Sequence, residues 1–365
     1  MAYTTINKST EHFDTKVYTG NGSSQTLDMD NLGLLWMKNR TEGSNHNLFD
    51  VVRGGYYASD PGPNLRPNGT TAGHGSDITS AYGITFGSSS STIGSDGGGY
   101  NYNQNGKSYV GWQWRANGTG SANTDGTINS TVSANTTSGF SIVKYTGTGS
   151  AATVGHGLGV APKLIITKNL DRGSEAWPVD CRAADGGNGG IMYLNETGTL
   201  GSYGATSPYN NTAPTTSVYS IGSPGNTNYS GSTLISYCFA EKKGFSKFGE
   251  FAGNGESYGT FVYTGFKPHL VIIKRHNVGT SDWVIQDNKR PGYNPAIERL
   301  FSSNSDATSS STGGSTTGVD FVSNGFHLKD NSTNAFATNI SGSKYIYLAF
   351  GQSLVGTNNV PVNAG

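Results

Sequence analysis

Three short stretches of the chain alternate between large apolar residues and smaller ones. Val110, Trp112 and Trp114 stand at every second position, as do Ile235, Tyr237 and Phe239, and Ile346, Leu348 and Phe350. A period of two places each trio on one face of a β-strand, and the three trios are expected to be buried in three separate cores. The intervening positions hold Gly111 and Gln113 in the first stretch and Ser236 and Cys238 in the second. That reverse face is expected to be half exposed, with Cys238 a small filler rather than a nucleophile. A second pattern marks Leu34-Leu35-Trp36-Met37-Lys38, Leu164-Ile165-Ile166-Thr167-Lys168 and Leu270-Val271-Ile272-Ile273-Lys274. These runs are apolar at successive positions, which predicts central strands covered from both sides.

The elements recur in a fixed order, so the chain is an internal repeat. An opening strand ending in glycine, Phe13 to Gly20, matches Phe140 to Gly147, and a third copy spans residues 244–253. The apolar run follows, and the alternating stretch closes each copy as a return strand. Pro162 and Pro268, Leu164 and Leu270, and Trp177 and Trp283 all differ by 106 in number. The first copy lacks the proline and carries Phe49 near the tryptophan position. The expected fold class is all-β, with three tandem antiparallel β-sandwich modules of jelly-roll type at residues 1–122, 123–241 and 242–365. The first boundary falls in the Gly/Ser/Asn/Thr segment 118–125. The second, 240–243, is tight and predicts that modules two and three pack together. Polar stretches at 87–106, 186–231 and 302–318 carry turn dipeptides, yet Tyr100, Tyr102, Tyr203, Tyr209 and Tyr219 predict that much of this chain is ordered. One short helix is predicted at 295–301, with Pro295 opening it and Glu298 in its first turn.

Composition narrows the partners. Of 365 residues 54 are glycine, roughly twice the usual share. Charged residues make up 13%, with 24 Lys plus Arg against 24 Asp plus Glu. A neutral chain lacks the cationic excess that a phosphate-tracking groove or a polybasic membrane contact requires, so neither nucleic acid nor a membrane is an expected partner. The longest apolar runs are far too short to cross a bilayer. The N-terminus Met1-Ala2-Tyr3-Thr4-Thr5 has no secretory signal pattern, which implies synthesis in the cytoplasm. Two cysteines, Cys181 and Cys238, allow one bridge at most, and free thiols are the expected state.

Candidate chemistry is sparse. Gly147-Thr148-Gly149-Ser150-Ala151-Ala152 has the form of a dinucleotide loop, but Gly155, Gly157 and Gly159 follow and no helix can start there, so a turn is expected. Seven histidines, at 12, 46, 74, 156, 269, 276 and 327, show no spacing that pairs them on a helix or strand as metal ligands. Asp28 and Asp30 could share a strand face as a calcium hint; solvated turn acids are the preferred reading. No G-x-S-x-G elbow occurs. Cys181 has no histidine partner in sequence. The acids repeated near the tryptophans, Asp180 and Asp287, read as strand ends. The sequence therefore assigns no catalytic residue, metal ligand or cofactor, and singles out no binding residue. Loop Tyr, Asn, Ser and Gly supply an adhesive surface vocabulary, while Trp36, Trp112, Trp177 and Trp283 are expected in the core.

The segments 2–10 (Ala-Tyr-Thr-Thr-Ile-Asn-Lys-Ser-Thr) and 127–137 (Thr-Ile-Asn-Ser-Thr-Val-Ser-Ala-Asn-Thr-Thr), with the endings 345–350 and 355–361, resemble repeat-bearing virion proteins of tailed phages, especially those of marine bacteria. The resemblance implies a non-enzymatic virion surface protein, of tail-fibre or head-decoration type, located on the virion. Its expected partners are other virion proteins, further copies of itself with a trimer as first choice, and a host-surface glycan. The first module starts at about residue 12, without a coiled-coil shaft or tail-docking domain, which favours a compact attachment or head-decoration component. The alternative reading is a glycan-depolymerising enzyme on a β-sandwich scaffold.

Overall fold

The computed structural model describes residues 4–29, 33–54, 64–72, 83–87, 90–95, 101–182, 190–201, 207–310, 318–329 and 337–355. In each repeat the return strand lies between the opening strand and the apolar run. Ser108–Arg115 pairs with Phe13–Thr19 and Gly33–Asn39. Thr233–Phe239 pairs with Phe140–Thr146 and Leu164–Asn169, and Lys344–Gln352 with Ser246–Ala252 and Lys267–Arg275. The register repeats as well: Leu34 faces Trp114, Leu164 faces Phe239 and Leu270 faces Phe350. A fourth strand follows in each, Asn47–Asp50, Pro178–Asp180 and Trp283–Asp287. The fold is all-β and sandwich-like, with every named strand pair antiparallel.

A smaller outer sheet covers the reverse side of each inner sheet. It comprises Gln25–Leu27, Ser91–Ile93 and Ile84–Phe86 in the first module, Ala152–Gly155 and Val218–Ile221 in the second, and Phe261–Tyr263, Gly325–Leu328 and Val319–Val322 in the third. The reverse face of the return strands is therefore buried, not half exposed: Gln113, Ser236 and Cys238 have no exposed surface. Polarity survives there because it is hydrogen-bonded. The Tyr219 hydroxyl donates to Ser236 Oγ at 2.9 Å, Ser236 shares a 2.8 Å bond with Thr167, and the Tyr209 hydroxyl donates to Thr167 at 2.9 Å. Tyr102, Tyr209 and Tyr219 are core residues; Tyr100 and Tyr203 lie outside the described residues.

The same turn closes all three modules. Gly20, Gly147 and Gly253 end the opening strands so close to neighbouring backbone that a Cβ would come within 2.2, 2.3 and 2.4 Å of a carbonyl oxygen. Two residues on, Gly22, Gly149 and Gly255 adopt φ of 72°, 76° and 75°, a region open to glycine at little cost. A fully or nearly fully buried asparagine clamps each turn: Asn103, Asn228 and Asn339 accept from the N–H of Asn21, Thr148 and Asn254 at 3.2, 2.7 and 3.1 Å. This accounts for the glycine-rich 147–152 segment as a turn.

The three inner sheets face one another. All nine residues of the alternating trios, expected in three separate cores, lie in a single apolar cluster, while each module keeps its own outer core beneath its small sheet. Trp114, Phe239 and Phe350, equivalent by register, meet edge to face with centroids 6.1, 5.5 and 5.8 Å apart, a favourable aromatic geometry. The chain is a ring of three modules about this triangle.

Two expectations are corrected. Residues 295–301 form no helix; Glu298–Phe301 is a strand paired with Trp283–Asp287 and Ser309–Ser310. Leu300 and Phe301 are buried there, and sheet pairing outweighs the local proline signal. The first-module counterpart of Trp177 and Trp283 is His46, not Phe49. Each stands across from the lysine of the apolar run, where Trp283 pairs directly with Lys274 and the registers of the other two sheets place Trp177 against Lys168 and His46 against Lys38.

Candidate functional site

The buried charges of the ring are spent on joining modules. Asp50 and Asp287, both fully buried, end equivalent strands and each accept from an arginine three residues on, Arg53 at 2.6 Å and Arg290 at 2.7 Å. Each then accepts from the return strand of the next module. The Tyr237 hydroxyl reaches Asp50 at 2.8 Å, and the Trp112 indole N–H reaches Asp287 at 3.1 Å. In the second module the register from Ile165 and Asp180 puts Cys181 opposite Leu164. There the next return strand offers Leu348, which has no polar atom, and Cys181 joins the shared apolar core. Asp180 and Arg182 pair at 2.9 Å.

Lysines and aromatic donors link the modules in the opposite sense. Lys38 donates to the Ser305 carbonyl, Lys168 to that of Thr70 and Lys274 to that of Glu196, at 3.3, 2.7 and 3.5 Å. His46 donates from Nε2 to Phe301, Trp177 to Gly69 and Trp283 to Tyr193, all at 2.9 Å. Each group thus reaches the preceding module, and the cycle closes. Burial lowers the three lysines to about 8. His46 accepts from Trp36 at Nδ1 at 2.8 Å, which fixes the neutral tautomer; burial first and Lys38 second hold its pKa well below the ordinary value. Both ring nitrogens are occupied, so His46 is a structural bridge.

The other sequence candidates do not converge. Cys181 and Cys238 are buried and unbridged, and burial raises the Cys238 thiol. Asp28 is exposed and pairs with Lys16 at 3.8 Å; Asp30 and His74 lie outside the described residues. Among the described residues no three His, Cys, Asp or Glu side chains form a metal-binding group.

One surface departs from the threefold pattern. On the outer sheet of the third module, Phe261, His327 and Asp320 stand side by side across three strands. Tyr258 flanks His327 with centroids 5.0 Å apart, and Phe261 lies 4.9 Å from it on the other side. Tyr258, Tyr263 and Phe261 are 65%, 54% and 40% exposed. Gly325 opposes Tyr263; a Cβ there would come 2.1 Å from the Val262 carbonyl oxygen and 2.9 Å from the Phe261 ring, so the close backbone approach requires glycine and the ring lies over it. Lys329 stands 4.2 Å from the Tyr258 centroid and 3.7 Å from Asp320, and Lys247 stands 5.1 Å from Tyr263. The outward pairs among the described strands of the other two outer sheets are Thr26 with Thr92, Thr153 with Ser220 and Gly155 with Val218, none of them aromatic. The module fold is therefore built without aromatic residues on this face, and those of the third module need another explanation. Sequence reasoning missed them; comparing the three copies along the outer strand, rather than along the core strands, would have shown Phe261 and Tyr263 against strands that carry Thr26 in the first module and Thr153 and Gly155 in the second.

Residues 8–353 match the family model described as "Domain of unknown function (DUF7483)", and the chain belongs to that family. Nothing matches among curated proteins or among solved structures.

Proposed function

We propose that this protein is a non-enzymatic surface component of a tailed-phage virion, of attachment or head-decoration type, which binds neighbouring virion proteins and engages a host-surface glycan through the outer sheet of its third module. The sequence resemblance supports the virion setting. The observation that carries recognition is the aromatic face of Tyr258, Phe261 and Tyr263 on an outer sheet whose counterparts in the other modules show no aromatic residue on the outward face of their paired strands. Aromatic rings combine an apolar body with an electron-rich face, suited to the C–H face of a pyranose. Asp320 and Lys329 beside them supply hydrogen bonds for sugar hydroxyls. The non-enzymatic reading is supported by Asp50 and Asp287, whose carboxylates are enclosed and committed to Arg53 and Arg290.

A homo-oligomer, with a trimer first, stays part of this proposal. Its contacts have to use outer surfaces, because the inner sheet faces are enclosed within one chain. Antibody labelling of phage particles tests the setting, and incubation with host surface polysaccharide tests the chemistry. Bound polysaccharide with no new reducing ends is the expected result. Release of reducing ends would instead establish the depolymerase.

A further inference from the structure

A second surface feature of the third module shares the strand Val319–Val322 with the aromatic face. Phe321, on Val319–Val322 of the outer sheet, forms one wall of a cavity of about 250 Å³ whose other walls include Lys267, Asn288, Lys289, Tyr293 and Asn294. Its frame is fixed: Asn294 donates to the Phe321 carbonyl at 2.9 Å and accepts from the Phe321 N–H at 3.0 Å. The backbone N–H groups of Lys289 and Arg290 are tied to Asp287, and that of Asn288 to the His269 carbonyl. Tyr293 is 66% exposed, a rigid ring at the mouth.

Three features give this cavity a preference. Neither Lys267 nor Lys289 has an ion-pair partner among the described residues, while Asp287 nearby is committed to Arg290. Asn288 Oδ1 is buried and has no hydrogen-bond partner, so an acceptor stands ready for a hydroxyl donor. The positive field is felt by a neighbour: His269 is lowered to about 4 by burial, then by Lys289 and Lys267. Asp14, which also senses Lys289, is raised chiefly by burial.

We infer that this cavity binds one acidic sugar unit, its carboxylate or sulfate between Lys267 and Lys289, a hydroxyl donating to Asn288 Oδ1, and its ring against Tyr293. The inference rests on the glycan-binding reading above and specifies the ligand as an anionic saccharide. Charge-assisted hydrogen bonds are the stronger class. Losing one lysine is expected to weaken binding about tenfold, the size of one such bond.

The test uses the full chain and calorimetric titration with three oligosaccharides of equal length, one containing glucuronate, one sulfated and one neutral, and with inorganic sulfate alone. An acidic oligosaccharide is expected to bind more tightly than the neutral one, and which of the two does so identifies the anion. Lys267→Gln and Lys289→Gln are each expected to lower that affinity about tenfold without altering the urea midpoint, and Tyr293→Ala to lower it for every sugar. Equal affinity for acidic and neutral oligosaccharides, unmoved by the lysine variants but abolished by Phe261→Ala, overturns the acidic-sugar site and leaves the glycan reading standing. Failure of all three oligosaccharides to bind overturns both. Inorganic sulfate binding as tightly as the sulfated oligosaccharide reduces the site to an anion site and overturns its saccharide assignment.

Discussion

Trp112 of the first module donates its indole N–H to Asp287 of the third at 3.1 Å, across 175 residues of chain. The same carboxylate holds Arg290, whose guanidinium lies 5.8 Å from the Trp112 ring. This buried carboxylate thus joins the first and third modules, the two ends of the repeat, alongside the contacts of Lys38 with Ser305 and His46 with Phe301. Asp287→Ala leaves Arg290 enclosed without its counter-charge, and loss of one partner of a buried pair costs about 3–5 kcal/mol. A urea midpoint that falls by that amount at constant slope is the expected outcome. Trp112→Ala adds a cavity in the shared core and is expected to cost about 3–5 kcal/mol on its own. A near-neutral Asp287→Ala would show that the pair does not hold the ring.

The shared core makes the three modules one cooperative unit. Residues 1–122 alone would expose Trp36, Trp112 and Trp114, which are almost fully buried in the ring. Scanning calorimetry of the whole chain is expected to give one transition, with Trp112→Ala shifting all of it. Three resolved transitions, only one of which moves, would mean that the modules are stable separately.

Acid is expected to weaken the fold through its histidines. His12, His46, His156 and His269 all have pKa values lowered in the folded chain, chiefly by burial, His269 to about 4. Unfolded, they return to about 6.5. Between about 6.5 and 4 the unfolded chain binds more protons, so stability falls as pH drops through that window. Urea midpoints measured from pH 7 to 4.5 check this, and a profile flat across the range would contradict it.

The turn clamps provide a test repeated three times. Asn228 holds the Thr148 N–H and the carbonyls of Ser150 and Gly222, and Asn103 and Asn339 do corresponding work. Alanine at any of them strands buried backbone groups, at about 1–3 kcal/mol each. Similar losses at all three sites are expected in urea titrations; a loss at one site alone would deny their equivalence.

The repeat was legible in sequence because alternating and continuous apolar runs report strand burial locally. Their assembly was not, because the residues that close the ring are far apart: Asp50 meets Tyr237 across 187 residues and Trp112 meets Asp287 across 175. Small and polar residues such as Gln113, Ser236 and Cys238 suggested a wetted face, and only the covering outer sheet shows that they are buried. His46 escaped notice because imidazole here replaces indole as the donor to a neighbouring carbonyl. Asp180 looked equivalent to Asp287 by its distance from a tryptophan, but a one-residue offset puts Cys181 at that place. The aromatic face was hidden for another reason: one apolar strand in a β-protein reads as core, and exposure at Phe261 and Tyr263 is set by what fails to cover them.

Recognition through the third module is tested most directly by titrating host surface polysaccharide into the wild-type chain, into the Phe261→Ala/Tyr263→Ala variant and into a Thr26→Ala/Thr153→Ala control altered on the outer strands of the other two modules. Covering an exposed aromatic ring with the apolar face of a sugar is worth about 1.5–3 kcal/mol at full burial, so loss of two rings is expected to weaken binding at least tenfold, with the control unchanged and all three proteins equally stable. Equal affinity for all three proteins would contradict glycan recognition by this face.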